Sequence, residues 1–519
     1  MLNEVKMKKR SFILNVFFLT TATLIARIIG IIFRVYMSNK IGSEGIGLYQ
    51  LITTIYFFSA TFSTSGISLA VTRLVTDSIA KKEFKAVKFS LIRCLYIGII
   101  LSSIIGFILF KFSTFLSISI LHDERAILPL KILSPSLPFM AISACFRGYF
   151  FAVRQVIKTA SEQLLEQIIE MIIFVSLIGS MLPKGLEYAC CAIVIGTTIA
   201  EFASCFYSYF LYKNDIKKYN IKSTFNKNKI YKNIALISIP VTLSSSLRSG
   251  LNTIENILIP TGLQKCGMSE TKSLSGYGLI NGMVMPIIGF PSVLLFSFAL
   301  LLIPEISEAN AVHHTKNISY ITKRVLHITF IYSIMVSGIL LFFSNDFGIS
   351  IYRNNEAGLY ISLLSPIIPL IYMDNVVDGM LKGLNEQIHY LSYNIIDSFL
   401  RVILIIILLP RYGIRGLIIV MFFSAILNSS LSLFRLLKVT SININLIDWI
   451  IKPIISVIIV CLAIDQFMSM QIIEFPSIIT KLIFEITISI TLYLCILFIM
   501  GSINKEQINW VKGYLIRTN

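Results

Sequence analysis

The chain of 519 residues is poor in what a water-soluble protein of its length carries on its surface. Only 14% of its residues are charged, against 55% hydrophobic, and its mean hydropathy is +0.80. These values exclude an ordinary soluble globular chain and put most of it in lipid. Acidic side chains are the scarcer sign, 27 against 45 Lys and Arg, for a net charge of +18. That excess does not point to nucleic acid, because the basic residues cluster in short connectors between apolar runs, where they specify membrane topology. The eight cysteines lie singly in apolar runs, apart from Cys190 and Cys191, with no CxxC pair and no metal-type spacing to His. They read as small buried hydrophobes. Of the five histidines only His122 and His389 fall near a span end, and neither has metal-ligand spacing. No metal and no cofactor are expected.

What is present is a succession of apolar runs. A window of about 20 residues predicts an all-α polytopic membrane protein with fourteen transmembrane helices, near 12–37, 46–75, 89–112, 128–153, 160–182, 186–212, 234–259, 274–303, 322–344, 358–382, 388–409, 414–437, 448–470 and 477–500. Lys6, Lys8, Lys9 and Arg10 precede the first run in the manner of a signal peptide, but the run continues past Val35 without an Ala-x-Ala site. It is expected to be a retained first helix, with Met1 or Met7 as the start. The even-numbered connectors hold most of the Lys and Arg, among them Lys81, Lys85, Lys88, Arg154, Lys158, Lys316, Lys323, Arg435 and Lys438. The positive-inside rule then places both termini in the cytoplasm and the chain in the cytoplasmic membrane. The longest polar connector, Lys213 to Lys232, is either a site for anionic lipid head groups or only a topology signal. No outer connector is long enough for an ectodomain.

The chain also repeats itself. "SPSLPFMAISACFRGYFFAVRQ" from Ser134 lines up with "SPIIPLIYMDNVVDGMLKGLNE" from Ser365 at a constant offset of 231, pairing Pro135 with Pro366, Pro138 with Pro369 and Gly148 with Gly379. At an offset of 221, Thr21 pairs with Thr242 and Arg27 with Arg248. Two six-helix lobes follow, 1–212 and 234–437, joined by a basic cytoplasmic linker 213–233 and followed by an addition, 438–519, with helices thirteen and fourteen. An even number of spans per lobe makes this a parallel repeat, and such duplications work by alternating access.

Charges inside the spans are expensive, so they mark candidate sites. "TLIARIIGIIFRVYM", from Thr23, carries Arg27 and Arg34 seven residues apart, on one helix face. Arg248, Asn252 and Glu255 form the matching stripe on helix seven. Arg27 and Arg248 fall near mid-span, and together they would make a cationic centre for a phosphate-bearing substrate. The alternative is pairing with nearby carboxylates or helix carbonyls for packing alone. Arg147, Glu166 and Glu170 become Asp378, Asp397 and Arg401 in the second half, a coupled exchange of charge. With the intervening turns centred near Lys158 and His389, it predicts structural ion pairs of Arg147 with Glu170 and of Asp378 with Arg401. Asp374 and Asp397, with Glu255, are candidates for a coupling Na⁺ or H⁺ site. Pro286 and Pro291, with Gly282 beside them, interrupt helix eight and bend it. The bends are either hinges between inward and outward states or static kinks.

These features resemble the multidrug/oligosaccharidyl-lipid/polysaccharide exporter superfamily, in its branch of sporulation and polysaccharide exporters related to the lipid II flippases. The resemblance is carried by "ARIIGIIFRVYMSNKIGSEGIGLYQL" from Ala26, "FRGYFFAVRQVIKTASEQLLEQII" from Phe146, "YGLINGMVMPIIGFPSVLLFSFALLLIPEISEA" from Tyr277 and "LKGLNEQIHYLSYNIID" from Leu381. It implies a MATE-like pair of lobes around a central cavity and an alternating-access flippase. The implied substrate is an undecaprenyl-pyrophosphate-linked saccharide, a lipid II-like peptidoglycan precursor for the spore cortex, and cell-wall synthesis proteins are the implied partners. The lipid II flippases keep several cationic residues in the cavity. Arg27 matches one, the next falls at Phe33 with Arg34 one place later, and the one on helix eight falls at Asn281.

Two other functions compete. A cation-coupled multidrug antiporter of the same fold would need acidic cavity residues, whereas the expected central pair is basic. A membrane-embedded glycosyltransferase or polymerase would need outer carboxylates and sizeable outer loops, and neither is seen.

Overall fold

The computed structural model describes residues 2–81, 83–216, 230–295, 306–310, 314–442, 445–470 and 475–503. These residues are almost entirely helical, with no strand among them. In hydrocarbon every backbone N–H and C=O must be satisfied within its own segment, and a helix does this without a partner. Among the described residues ten helices are long and apolar enough to cross a membrane, or eleven if a pair bent by 47° counts as one span. The bent pair is Glu124–Leu133 with Ser136–Ala152, parted at Ser134 and Pro135.

The order begins with α1 (Leu2–Ala80), α2 (Phe84–Phe115), α3 (Ile127–Leu133), α4 (Ser136–Ala152), α5 (Val156–Met181), α6 (Leu186–Ile216), α7 (Ile230–Lys265) and α8 (Glu270–Tyr277). It continues with α9 (Met285–Gly289), α10 (Thr315–Phe342), α11 (Ser344–Tyr352), α12 (Asn355–Leu364), α13 (Ile368–Gly383), α14 (Gln387–Thr440), α15 (Lys452–Ser469) and α16 (Ile478–Ile499). Two of these are each two expected spans run together. α1 carries non-helical backbone at Gly42 (φ 70°) and α14 at Gly413 (φ 57°), between the spans expected at 12–37 and 46–75 and at 388–409 and 414–437. A positive φ is what glycine tolerates and other residues do not. The short helix α11 lies in a connector where none was expected.

The repeat is visible in backbone events. His122 and Arg353 both adopt left-handed φ (57° and 51°), as do Arg154 and Asn385 (60° and 64°), each pair 231 residues apart. The residue after each of the first two, Asp123 or Asn354, caps the next helix with its side chain, accepting from the backbone N–H of Arg125 or of Glu356 and Ala357. A turn that costs strain twice, at the same register, is a duplicated design.

By its contacts the chain forms two compact units, Met1–Thr261 with Glu270–Gly278, and Gly262–Ser269 with Leu279–Asn519. α7, expected from the repeat to open the second lobe, belongs by these contacts to the first unit over most of its length. Its approach is steric: a Cβ on Gly66 of α1 would meet the Ser238 carbonyl and the Thr242 hydroxyl, and one on Gly250 would meet the Phe58 ring. Most of the linker, 217–229, lies outside the described residues. The core of the first unit gathers Val71, Val75, Leu91, Cys145 and Phe150 where α1, α2 and α4 meet. At that meeting Thr72 donates to the Gly148 carbonyl at 3.0 Å. Six cysteines are buried as expected, but Cys266 is half-buried and Cys495 is exposed.

Helix eight is broken rather than merely bent. After α8 come a π-helical turn over Gly278–Val284, which holds Gly282, and then the five-residue α9, with Pro286 near its start and Pro291 just beyond its end. The expected remainder of this span, 296–303, lies outside the described residues. In the second unit three tyrosine hydroxyls donate to carbonyls along this stretch. The Tyr352 hydroxyl donates to Met283 at 2.9 Å, Tyr372 to Ile288 at 2.6 Å and Tyr332 to Pro291 at 2.9 Å.

Gly148→Val should destabilise the first unit by about 1–3 kcal/mol, because its Cβ would meet the Ser68 carbonyl. Gly179→Ala, with open space around it, should be nearly neutral. Thermal unfolding of the two variants in detergent distinguishes them.

Candidate substrate cavity

The first unit encloses a cavity of about 440 Å³. Each contributing helix lends one face, at the three- and four-residue spacing that a helix imposes: Gly30, Arg34 and Met37 before the Gly42 break; Gln50, Thr53 and Phe57 after it; Glu166, Gln167 and Glu170 on α5; Thr197 and Glu201 on α6; Ser249, Asn252 and Asn256 on α7. Gly30 leaves room for the Gln167 amide, 3.6 Å from where a Cβ would stand. The lining therefore combines one guanidinium, three carboxylates, several amides and hydroxyls, and aromatic rings. Arg34 is exposed and makes no hydrogen bond or ion pair among the described residues. Glu201, 3% exposed, keeps one carboxylate oxygen buried and without a partner.

Of the five residues expected to share a cavity, Arg34 and Asn252 line this one. Arg27, Arg248 and Glu255 are not among its lining residues. Arg27 and Arg248 are exposed elsewhere on the unit, and Glu255 is half-buried. Seven residues keep Arg27 on the face of Arg34 but put it about 10 Å away along the helix, just past Ile29 and Gly30, where the lining of this helix ends. The cavity is accordingly not doubly cationic.

Behind the cavity lies a buried ionic cluster, and here the expected pairing is corrected. Arg147 on α4 pairs with Glu162 at 3.1 Å and approaches Glu166 at 3.9 Å, not Glu170. Glu162 also accepts from the Ser204 hydroxyl at 3.0 Å, and Glu170 accepts from Thr197 at 2.7 Å. The turn between α4 and α5 falls at Val153–Gln155, with Arg154 left-handed. That is about four residues earlier than the centre at Lys158 assumed from the sequence. Moving the turn moves the partner at equal depth by two helical turns, from Glu170 to Glu162.

The second unit holds the other candidates. Asp374 accepts from the Asn428 amide at 2.7 Å. Asp397 accepts from Ser424 at 3.0 Å and pairs with Arg401, one turn on, at 3.2 Å. Asp378, one turn from Asp374 on α13, accepts from Asn394 at 3.4 Å. Among the described residues no three His, Cys, Asp or Glu side chains are arranged to hold a metal ion.

Sequence reasoning missed Glu162 and Glu201. Glu201 stands alone in the middle of an otherwise apolar span, and an isolated acid at that depth is itself the signal.

Solved structures share this architecture. Lipid II flippase MurJ in an inward closed conformation matches with a TM-score of 0.67 at 17% identity, over 93% of this chain and 98% of that one. An inward-facing multidrug resistance MATE family transporter of the MOP superfamily matches at 0.61 and 12% identity, over 80% and 99%. The molecule is therefore a polytopic all-α membrane protein with the fold of the MOP superfamily's transporters. Residues 12–309 match the family described as "Polysaccharide biosynthesis protein", and the chain belongs to that family. Stage V sporulation protein B of Bacillus subtilis (strain 168) is 25% identical over 508 residues, 97% of this chain and 98% of that protein. Lipid II flippase MurJ of the same organism is 24% identical over 402 residues, 72% of each.

Because Glu162 is fully buried, Arg147→Met should cost about 3–5 kcal/mol by leaving a carboxylate unpaired. Adding Glu162→Gln should recover a large part of the loss, and Glu170→Gln alone should leave Arg147's pair intact. Denaturation midpoints of the three variants in detergent check the assignment.

Proposed function

We propose that this protein is an alternating-access flippase that carries a lipid-linked saccharide across the cytoplasmic membrane, with both termini in the cytoplasm. The reading goes further to a substrate of the undecaprenyl-pyrophosphate-linked type, a peptidoglycan precursor for the spore cortex. One observation carries it: in a member of a polysaccharide biosynthesis family, Arg34 lines a cavity rich in amides, hydroxyls and aromatic rings and makes no hydrogen bond or ion pair among the described residues. Amides and hydroxyls bind sugar hydroxyls, aromatic faces bind sugar rings, and a guanidinium binds phosphate bidentately. The likeness to stage V sporulation protein B supports the sporulation setting. Asp374 and Asp397 are the proposed groups for H⁺ or Na⁺ coupling, and Arg27 and Arg248 are proposed to assist with charge at a different depth from Arg34. Cell-wall synthesis proteins are proposed partners.

A second reading rests on Glu166, Glu170 and Glu201 lining the same cavity. Three carboxylates would suit a cationic amphiphile exported in exchange for a cation.

The test is complementation of sporulating Bacillus subtilis lacking stage V sporulation protein B. The wild-type chain should restore cortex and prevent accumulation of undecaprenyl-linked precursor on the inner leaflet. Arg34→Ala should lower this activity at least about tenfold, the loss of a charge-assisted bidentate contact, at unchanged membrane abundance. Restored cortex with Arg34→Ala would overturn the site. Failure of the wild-type chain together with efflux of a cationic dye would favour the second reading.

A further inference from the structure

A second concavity of the first unit, about 570 Å³, lies apart from the substrate cavity and shares none of its lining residues. It is a groove between α2 and α6, floored by α4. Along α2 it runs from Lys88 past Ile92 and Leu95 to Ile99; along α6 it runs in the opposite sense, from Lys213 past Tyr209 to Phe206. Both lysines therefore stand at one end and the rest of the groove is apolar. The eleven helical steps from Lys88 to Ile99 span about 16 Å of helix, close to the half-thickness of a bilayer's hydrocarbon, about 15 Å. Ile92, Ile99, Phe206 and Tyr209 are exposed large hydrophobics within membrane-spanning helices.

Three features of the charged end point to an anionic occupant. Lys88 and Lys213 are both exposed and neither makes an ion pair among the described residues. The nearest acid in sequence to Lys213, Asp215, is taken up by Lys158 at 3.2 Å, the Tyr149 hydroxyl at 3.0 Å and the Gln155 amide at 2.9 Å. Tyr212, beside Lys213, lines the groove, is 9% exposed and has a buried hydroxyl with no hydrogen-bond partner. Its ring is fixed between Phe146 and Tyr149, at centroid distances of 5.3 and 5.1 Å. Two free ammonium groups at the rim of a leaflet-deep apolar groove, with the spare Tyr212 hydroxyl buried beside them, form a head-group site with a chain site below it.

We infer that this groove is a binding site for an acidic phospholipid of the surrounding leaflet, with the phosphate held between Lys88 and Lys213 and one acyl chain lying against Ile92, Leu95 and Ile99. The site is distinct from substrate transport and does not depend on the proposed cargo. Such a lipid would tie α2 to α6 at the end where the basic connectors emerge.

The test is native mass spectrometry of the full chain released from mixed micelles containing dioleoyl phosphatidylglycerol and dioleoyl phosphatidylcholine at equal concentration. The wild type should retain phosphatidylglycerol with a preference on the order of tenfold, the expected gain from two lysines near a phosphate. Lys88→Gln with Lys213→Gln should abolish the preference while lipid still binds. Ile92→Trp, which fills the groove below the lysines, should reduce retention of both lipids. Lys316→Gln with Lys323→Gln, basic positions of the second unit, should leave the preference unchanged. Each variant is first shown to be monodisperse with a wild-type melting temperature. Equal retention of the two lipids by the wild type, an undiminished preference in Lys88→Gln with Lys213→Gln, or equal loss in the second-unit control would overturn the proposal. Displacement of phosphatidylglycerol by equimolar undecaprenyl phosphate would also overturn it, since the groove would then hold a polyprenyl chain.

Discussion

The demand that no backbone hydrogen-bonding group be left bare in hydrocarbon governs this molecule more than any side-chain contact. It makes the described residues helical almost throughout, and it dictates what happens where a helix must stop. At Gly42 and Gly413 the chain turns on a residue without a Cβ, so that two spans follow one another with hardly a residue between them. At the Pro286–Pro291 break, the carbonyls of Met283, Ile288 and Pro291 also accept from tyrosine hydroxyls. The fold is a set of solutions to one solvation problem.

Charge follows the same logic at higher cost. A buried carboxylate is tolerable only with a cation or several donors beside it, and in the first unit Arg147 and Ser204 meet that need for Glu162. Glu170 has the Thr197 hydroxyl, and Glu201, at the cavity wall, keeps one oxygen without a partner. The polar interior of the unit is thus graded, from a neutralised cluster at the back to unsatisfied donors and acceptors at the front. Arg34 belongs to the front, where it lines the cavity.

How much of this was legible depended on whether the signal was one-dimensional. The spans were, because an apolar window needs no knowledge of neighbours, and the repeat was, because the Ser-Pro pairs at 134 and 365 mark the same helix break twice. The membership of the cavity was only half legible. Helical phase put Arg27 and Arg34 on one face, but phase carries no depth, and the lining of this helix stops at Ile29, two residues short of Arg27. The partner of Arg147 was missed because equal depth on two helices depends on where the turn falls, and a few residues of error at Arg154 becomes two turns of helix at Glu162. The association of α7 with the first unit was not legible from ancestry, since descent from α1 says nothing of which glycines it will pack against. The break in helix eight was foreseen from its prolines; the tyrosines that hold it were not, lying 41 to 84 residues away in the chain.

Those tyrosines have an implication for biogenesis. All three lie downstream of the carbonyls they bond, so these contacts cannot yet exist when helix eight first leaves the ribosome. They form only once the helices bearing Tyr332, Tyr352 and Tyr372 have been synthesised. The native bonding of helix eight is thus completed by later parts of the chain.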